Sequence, residues 1–222
     1  MRKLIDADLL DIIPTDDGFI YLSRETMPDG AVTGVFHRFS QTDDCFSQAS
    51  LADYLEAKFG IDGTQHARAL GDYITCKVCN LHDGTVFAGY RDGSYKMIRE
   101  ERLTDIDELM YLSSPACSPV SNGRDLWFAV PDVNAVINYS VDHNRVELRI
   151  GGPNTKAFCH PVDLSIYDNR LFICNEYSYK IRCLRLDSYT VEDYRVFTEE
   201  IKQYFRSGET EYAVLKSGIY ML

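Results

Sequence analysis

The sequence predicts an all-β fold built from repeats, and two observations support this prediction. First, Cys117-Ser-Pro-Val and Cys159-His-Pro-Val each introduce a pair of apolar runs, over 117–142 and 159–187. Each copy has the pattern strand, turn, strand, turn, strand, with a period of about 40–45 residues that is typical of radial or linear repetition. Second, turn signals containing Gly or Asn recur along the whole chain. We therefore expect a β-propeller of about five four-stranded blades.

The turn signals divide the chain into blades, because Gly and Asn tolerate the positive φ of hairpin turns. They lie at Asp16-Asp-Gly18, His82-Asp-Gly84, Asn122-Gly123, Asp168-Asn169 and Ser217-Gly218, each between two apolar runs. Division of the length by five gives about 44 residues per repeat, which suits a four-stranded blade. We expect blades near 8–40, 70–100, 115–150 and 157–197, and a fifth that combines 209–222 with the N-terminus.

The fifth blade needs both ends of the chain. Residues 212–222 supply only about two strands, and an incomplete blade would leave the edge of a sheet unpaired. The N-terminal segment Arg2-Lys-Leu-Ile can supply a further strand. We expect the termini to share this blade and close the propeller; a second copy of the chain completing it is the alternative.

One stretch, 47–60, has the pattern of an amphipathic helix inserted between the first two blades. Ser50 is a suitable N-cap with Asp53 three residues later, and Gly60 is a typical C-terminal stop. The helix either covers a sheet edge or binds a partner. Two shorter helical turns are expected at 104–110 and 198–205, where acids in the first turn favour a helix N-terminus.

Composition and charge indicate which partners, which location and how many domains to expect. The 222 residues carry a net charge of −11, which would repel a phosphate backbone, so no nucleic-acid partner is expected. No apolar run approaches the roughly 20 residues of a membrane span, and acids close to Met1 are unlike a signal peptide. No linker divides the chain. We expect one domain over 1–222, cytoplasmic, monomeric and without a membrane partner.

Seven cysteines, an odd number, favour reduced thiols over a disulfide framework. Cys76-Lys-Val-Cys79 has the spacing of a zinc or redox pair, but its β-branched surroundings predict a strand. On a strand, residues three apart point to opposite faces, so the two sulfurs diverge. We interpret both as buried structural residues and expect no metal site here.

The segment from His160 to Leu184 resembles a blade of the NHL-type propellers, with Pro161 opening the innermost strand and an aliphatic-aromatic strand after the turn. The run 126–137 is similar to blades of streptogramin-lyase and gluconolactonase-like propellers. Those families usually have more blades, so the resemblance implies a reduced propeller. Its motifs specify blade packing more than chemistry.

Equivalent positions of successive blades meet near a propeller axis, so a site is expected where the inner strands begin. Ser118 and His160 both precede an inner-strand Pro, so we expect them to occupy equivalent positions. Asp132 and Glu176 both follow the second strand of their repeat, and we expect them to correspond as well. We predict that His160, Glu176 and Asp132 bind a ligand at a shared mouth. The alternative is structural: a satisfied His beside Pro, and carboxylates that accept hydrogen bonds from turn N–H groups.

Aromatic residues supply two further expectations. Trp127, the single tryptophan, lies between Leu126 and Phe128 and should be buried between adjacent blades. Tyrosine is abundant, and the fourth repeat holds Tyr167, Tyr177, Tyr179, Tyr189 and Tyr194. Such rings either form a rigid contact surface for a sugar or protein or are ordinary sheet residues.

Two functions are consistent with these features. The first is a non-catalytic binding module for a protein or small ligand at one face or at the channel mouth, without a cofactor. The second is a metal-assisted lactonase- or lyase-like enzyme with a divalent cation in the central channel, held by acidic and Asn side chains and assisted by His160. The first is preferred because the sequence contains no His-Glu-x-x-His, phosphate-loop or Gly-x-Ser-x-Gly motif.

Overall fold

The computed structural model of the protein describes residues 1–6, 8–60, 63–74, 76–90, 92–106 and 109–222. Over these ranges the fold is all-β, and five four-stranded sheets form the blades of a β-propeller, as the repeats predict. Neither helix in these ranges is long and apolar enough to cross a membrane.

The elements follow the chain in a regular order. The strands are β1 (Arg2–Ile5), β2 (Leu9–Thr15), β3 (Gly18–Thr26), β4 (Val32–Ser40), β5 (Cys45–Gln48), β6 (Lys77–Asn80), β7 (Val86–Gly89), β8 (Tyr95–Arg99), β9 (Arg102–Ile106), β10 (Met110–Tyr111), β11 (Ser114–Pro115), β12 (Cys117–Ser121), β13 (Leu126–Val130), β14 (Ala135–Ser140), β15 (Arg145–Gly151), β16 (Pro161–Tyr167), β17 (Arg170–Asn175), β18 (Lys180–Arg185), β19 (Val191–Val196), β20 (Ile201–Ser207), β21 (Thr210–Leu215) and β22 (Gly218–Met221). The helices are α1 (Leu51–Phe59) and α2 (Gly63–Leu70), and a 3-10 turn covers Pro131–Val133.

Each blade except the last is continuous in sequence. Blade I consists of β2 to β5, blade II of β6 to β9, blade III of β12 to β15 and blade IV of β16 to β19. Blade V has the order β1, β22, β21, β20, and β10 pairs with β11 in a separate two-stranded sheet.

The predicted turns lie between paired strands, and their residues fit the backbone there. Gly18 has a φ of 127°, and a Cβ on it would lie 2.1 Å from the carbonyl oxygen of Phe39. Asp168 and Asn169 have φ values of 51° and 56°, in the left-handed region that Asx residues tolerate. The turn chemistry therefore marks one hairpin within each blade.

Blade V combines both ends of the chain. β1 runs antiparallel to β22, with Arg2 opposite Met221 and Lys3 opposite Tyr220. The prediction that the termini share the fifth blade is confirmed. The C-terminal segment supplies three strands rather than about two, because β20 occupies a segment where the sequence predicts a helical turn.

Deleting residues 1–5 is expected to lower the free energy of unfolding by about 2 kcal/mol, because Leu4 and Ile5 are half-buried against the apolar cluster that blades I and V share. The deletion also leaves the edge of β22 unpaired. Thermal unfolding of the two chains measures the loss. As a control, replacing the exposed Arg2 and Lys3 by Ser keeps the strand and should change the melting temperature little. A deletion that leaves the melting temperature unchanged would contradict a stabilising role for β1.

Helix α1 begins and ends where the sequence predicts. The N–H of Asp53 donates to Ser50 Oγ (3.1 Å), and the N–H of Ser50 donates to Asp53 Oδ2 (2.8 Å). Gly60 follows the last turn with a φ of 83°. Lys58, on the buried face, donates to Asp11 Oδ2 of β2 at 2.6 Å and fixes the helix to blade I. The helix therefore packs against blade I.

Other helix assignments differ from the sequence prediction. The sequence does not predict α2. The helical turn expected at 104–110 is wrong where the structure describes it, because 102–106 is β9 and 110–111 is β10; residues 107 and 108 lie outside the described residues. The turn expected at 198–205 is also wrong, because β20 begins at Ile201. Asp105 lies on the exposed face of β9, and Glu199 and Glu200 lie just before β20. Acids that favour a helix start are also tolerated at these places, and strand pairing decides the outcome.

The chain divides into two compact units, 1–75 with 205–222 and 76–204. The core of the first unit is rich in aromatic rings, and Phe19 stacks on Phe39 with centroids 5.2 Å apart. The second unit has one apolar cluster between blades II and III and another between blades III and IV.

Trp127 belongs to the second of these clusters. It lies on β13 and packs with Leu164, Leu171 and Ile173 of blade IV. Its exposed fraction is 4%. The predicted burial between adjacent blades is confirmed.

Candidate functional site

Blades III and IV both begin with a Cys-x-Pro segment that has the same backbone conformation. Ser118 has a φ of 52° and His160 a φ of 54°, and each precedes a Pro, which disfavours right-handed helical backbone. The pairing of each inner strand is irregular next to this residue. The duplicated motif is therefore a duplicated turn into an inner strand.

Ser118 and His160 do not lie side by side in the neighbouring inner strands. Ser118 Oγ donates to Asp163 Oδ1 at 2.8 Å, so Ser118 lies beside the third residue of β16 rather than beside His160. The cause is strand length, since β12 has 5 residues and β16 has 7. The positional equivalence of Ser118 and His160 expected from the sequence is therefore wrong.

The expected equivalence of Asp132 and Glu176 is also wrong, by one position in the turn. The turns 131–134 and 176–179 connect corresponding strands of blades III and IV. Asp132 is the second residue of its turn, whereas Glu176 is the first. Both nevertheless lie at the end of the blade where the inner strand begins.

His160 and Glu176 lie together at this end of blade IV. His160 Nε2 is 3.4 Å from Glu176 Oε2, and each side chain is about a quarter exposed. The N–H of Glu176 also donates to the carbonyl oxygen of His160 at 3.0 Å. The backbone bond holds the two residues side by side, so an ion pair forms when the imidazole is protonated.

Tyr177 and Asn134 complete the surroundings of His160. The Tyr177 ring stacks on the imidazole with centroids 4.2 Å apart and planes 7° apart, and Tyr177 is 64% exposed. Asn134 Oδ1 accepts a hydrogen bond from the His160 N–H at 2.7 Å. Asp132 lies two residues before Asn134, in the 3-10 turn. We call Asp132, Asn134, His160, Glu176 and Tyr177 the strand-end patch.

A second polar cluster lies among the inner strands of blades II, III and IV. Lys77 Nζ is 2.6 Å from Asp163 Oδ1, the same oxygen that accepts the Ser118 hydroxyl. The ammonium also donates to the carbonyl oxygen of Leu164. Lys77, Ser118 and Asp163 form what we call the inner-strand cluster, and they connect β6, β12 and β16.

The charges of the inner-strand cluster compensate each other. Burial alone would lower the pKa of Lys77, but the charge and hydrogen bond of Asp163 outweigh it and raise that pKa above the ordinary value of 10.5. Burial raises the pKa of the nearby Cys79 thiol to about 12 and that of Cys174 well above its ordinary value. Amine and thiols are therefore protonated at neutral pH, and none of the three is an activated nucleophile.

The sequence prediction missed the inner-strand cluster, although the sequence contains a signal for it. Lys77 and Asp163 are each the single charged residue of their strand. Asp163 is 6% exposed, and its Oδ2 accepts no hydrogen bond from the residues that the structure describes. Cys76 and Cys79 are both buried, as predicted. The informative residue of the Cys-x-x-Cys segment is the lysine within it.

The part of the chain that the structure describes contains no preformed metal site. No group of three or more His, Cys, Asp or Glu side chains there is arranged to hold a metal ion. All seven cysteines are free thiols.

The tyrosines of the fourth repeat divide between core and surface. Tyr167 and Tyr194 pack edge-on against the buried Tyr204, with centroids 6.3 and 6.0 Å apart. Tyr177, Tyr179 and Tyr189 are exposed. Only Tyr177, through its stacking on His160, joins the predicted site residues.

Comparisons with known proteins agree with this fold. No family model matches the chain, and no curated protein matches its sequence. The structure of YCF48 bound to D1 peptide is 10% identical, with a TM-score of 0.63, over 100% of this chain and 93% of that one. A streptogramin B lyase is 11% identical, with a TM-score of 0.56, over 99% and 96% of the two chains.

A catalytically inactive virginiamycin B lyase from Staphylococcus aureus, solved with quinupristin, is 12% identical, with a TM-score of 0.56, over 96% of this chain and 79% of that one. At such identities the likeness establishes the fold alone. The chain is thus a five-bladed β-propeller similar in fold to the streptogramin lyases, as the resemblance of its third and fourth repeats predicts.

Proposed function

We propose that the protein is a non-catalytic binding module that takes up a peptide segment of a partner protein at the strand-end patch. The observation that carries this proposal is the exposed Tyr177 ring, which stacks on His160 and is therefore held in place before a ligand arrives. A ring ordered in advance loses little conformational entropy on binding.

The polar groups around Tyr177 suit a peptide backbone and its side chains. Glu176 and Asp132 supply carboxylate oxygens that accept from N–H groups or cationic side chains. Asn134 uses its carbonyl oxygen on His160 and retains its NH2 group as a donor. Aromatic contact area with convergent donors and acceptors is the usual composition of a binding hot spot.

The inner-strand cluster supports binding rather than catalysis. Its carboxylate is neutralised by Lys77, and the neighbouring Cys79 and Cys174 thiols are protonated. Lys77 Nζ lies 2.6 Å from Asp163 Oδ1, so a divalent cation would have to compete with the ammonium for this oxygen. We therefore propose a module that works without a resident metal.

A neighbour in fold supports the class of ligand. YCF48, which matches the whole of this chain in fold, has been solved bound to a peptide. The position of the site in this chain rests on the strand-end patch and not on that comparison.

Peptides selected from a displayed random library against the full chain are the probe for this proposal. Tyr177→Ala and Glu176→Gln are expected to weaken binding of the selected peptides at least about tenfold, or about 1.4 kcal/mol, because they remove the ordered ring and an acceptor. Calorimetric titration measures the affinities. Tyr189→Ala, which removes an exposed tyrosine elsewhere on blade IV, is the matched control and should bind like the wild type. Peptides that bind both patch variants as tightly as the wild type would refute the site.

A further inference from the structure

A cavity of about 310 Å³ lies between blades II and III, within the unit 76–204. Its lining includes Tyr139 near the end of β14, whereas Asn134 of the strand-end patch directly precedes β14. Five residues of strand separate the two by about 17 Å. The cavity is therefore distinct from the strand-end patch.

The walls of the cavity are mainly aromatic. Phe87, Tyr95 and Tyr139 each meet the central Phe128 ring at a steep angle, 68°, 71° and 83° between planes. Aliphatic side chains, among them Val146, line the remainder. Edge-to-face packing is a preferred arrangement of aromatic pairs, so a wall built in this way favours another aromatic ring as occupant.

Among the residues that the structure describes, the mouth of the cavity is polar and its charged side chains are paired. The Tyr139 hydroxyl donates to Asn144 Oδ1, and burial raises the pKa of Tyr139, so that the hydroxyl keeps its proton. Arg145 Nε and Nη2 lie 3.0 and 3.2 Å from the two carboxylate oxygens of Glu147. The guanidinium is thus already paired within the chain, which favours an uncharged ligand with one hydrogen-bonding group over an anion.

We propose that this cavity binds a small uncharged bicyclic aromatic group of indole size, with its polar N–H or O–H at the mouth beside Asn144 and Tyr139. Volume sets the size of the ligand: an apolar cavity of about 150 Å³ accepts benzene, and this one is about twice as large. The four aromatic side chains in the lining favour a planar ligand. The inference adds a second site to the proposed peptide-binding function and does not depend on it.

An indole-sized ring reaches the cavity either as a free molecule or as a tryptophan side chain of a partner. Two probes separate these sources. Indole tests the free molecule, and N-acetyltryptophanamide tests the ring with peptide groups attached. Saturable binding of indole alone assigns the cavity to small molecules, and equal or tighter binding of the amide assigns it to tryptophan side chains.

The test is an NMR titration of the isotope-labelled full chain with each probe. Binding is expected to shift the amide signals of Tyr139 and Val146, and phenol should bind at least about tenfold more weakly than indole because it fills less of the volume. Val146→Trp places a bicyclic ring in the cavity and should abolish binding. Val196→Trp makes the same change at an exposed position on the outer strand of blade IV and should leave binding intact.

A second measurement uses the wild-type protein, so the test does not depend on whether the variants fold. Nuclear Overhauser contacts between bound indole and the ring protons of Phe128 and Tyr139 are expected. The proposal is overturned if neither probe binds up to its solubility limit, if bound probe lacks these contacts, or if a folded Val146→Trp protein binds indole like the wild type.

Discussion

Replacing Trp127 by Ala is expected to lower the free energy of unfolding by about 3–5 kcal/mol. The indole ring is 4% exposed and packs between blades III and IV against Leu164, Leu171 and Ile173. Truncation removes its buried apolar area and leaves a cavity that rigid strands close only in part. Chemical denaturation monitored by far-UV circular dichroism measures the loss.

Trp127→Phe is the matched control, because it keeps an aromatic ring and much of the buried volume. It is expected to cost less than half as much as the Ala variant. In the wild-type protein the fluorescence emission should be blue-shifted relative to exposed indole. An emission maximum typical of indole in water, or a loss below about 1 kcal/mol for the Ala variant, would contradict this packing.

Breaking the ion pair of the inner-strand cluster is expected to cost about 3 kcal/mol. Lys77→Met leaves Asp163 buried without its cation, and Asp163→Leu leaves Lys77 without its carboxylate. We place the cost at the low end of the range for buried pairs, because the Lys77 side chain is 30% exposed. Denaturation of both single variants and the double variant measures the coupling.

The double variant is the informative member of this series. With both charges replaced by apolar groups of similar size, no buried charge is left unpaired, so the double variant should be more stable than either single variant. The pH dependence follows from the raised pKa of Lys77. Its contribution to stability is complete below the unfolded lysine value of 10.5 and is lost as pH rises through the higher folded pKa. The pairing would be refuted if the double variant were no more stable than the less stable of the two single variants.

The blades could be predicted from the sequence because their signals are local. Gly18 and Asn169 mark turns by backbone conformation, and Ser50 with Asp53 marks a helix start by hydrogen bonds within one turn. The helical turn expected near Ile201 failed for a related reason. Glu199 and Glu200 lie just before β20, and in the sequence acids at this place look like acids at a helix start until the strand pairs with β21.

The candidate site could be predicted in part. His160 and Glu176 lie at the joined ends of neighbouring strands of one blade, so the repeat pattern brings them together. Lys77 and Asp163 are 86 positions apart, and their contact depends on the register of strands in different blades. That register includes irregular pairing beside Ser118 and unequal strand lengths, neither of which the sequence motif reveals.

The most direct test of peptide binding at the strand-end patch is amide hydrogen exchange of the full chain with and without a selected peptide. Slower exchange is expected in the turns 131–134 and 176–179 and at His160, because a ligand over the Tyr177 ring shields these backbone groups. Unchanged exchange in all three, with new protection confined to other parts of the chain, would contradict the assignment of the binding site.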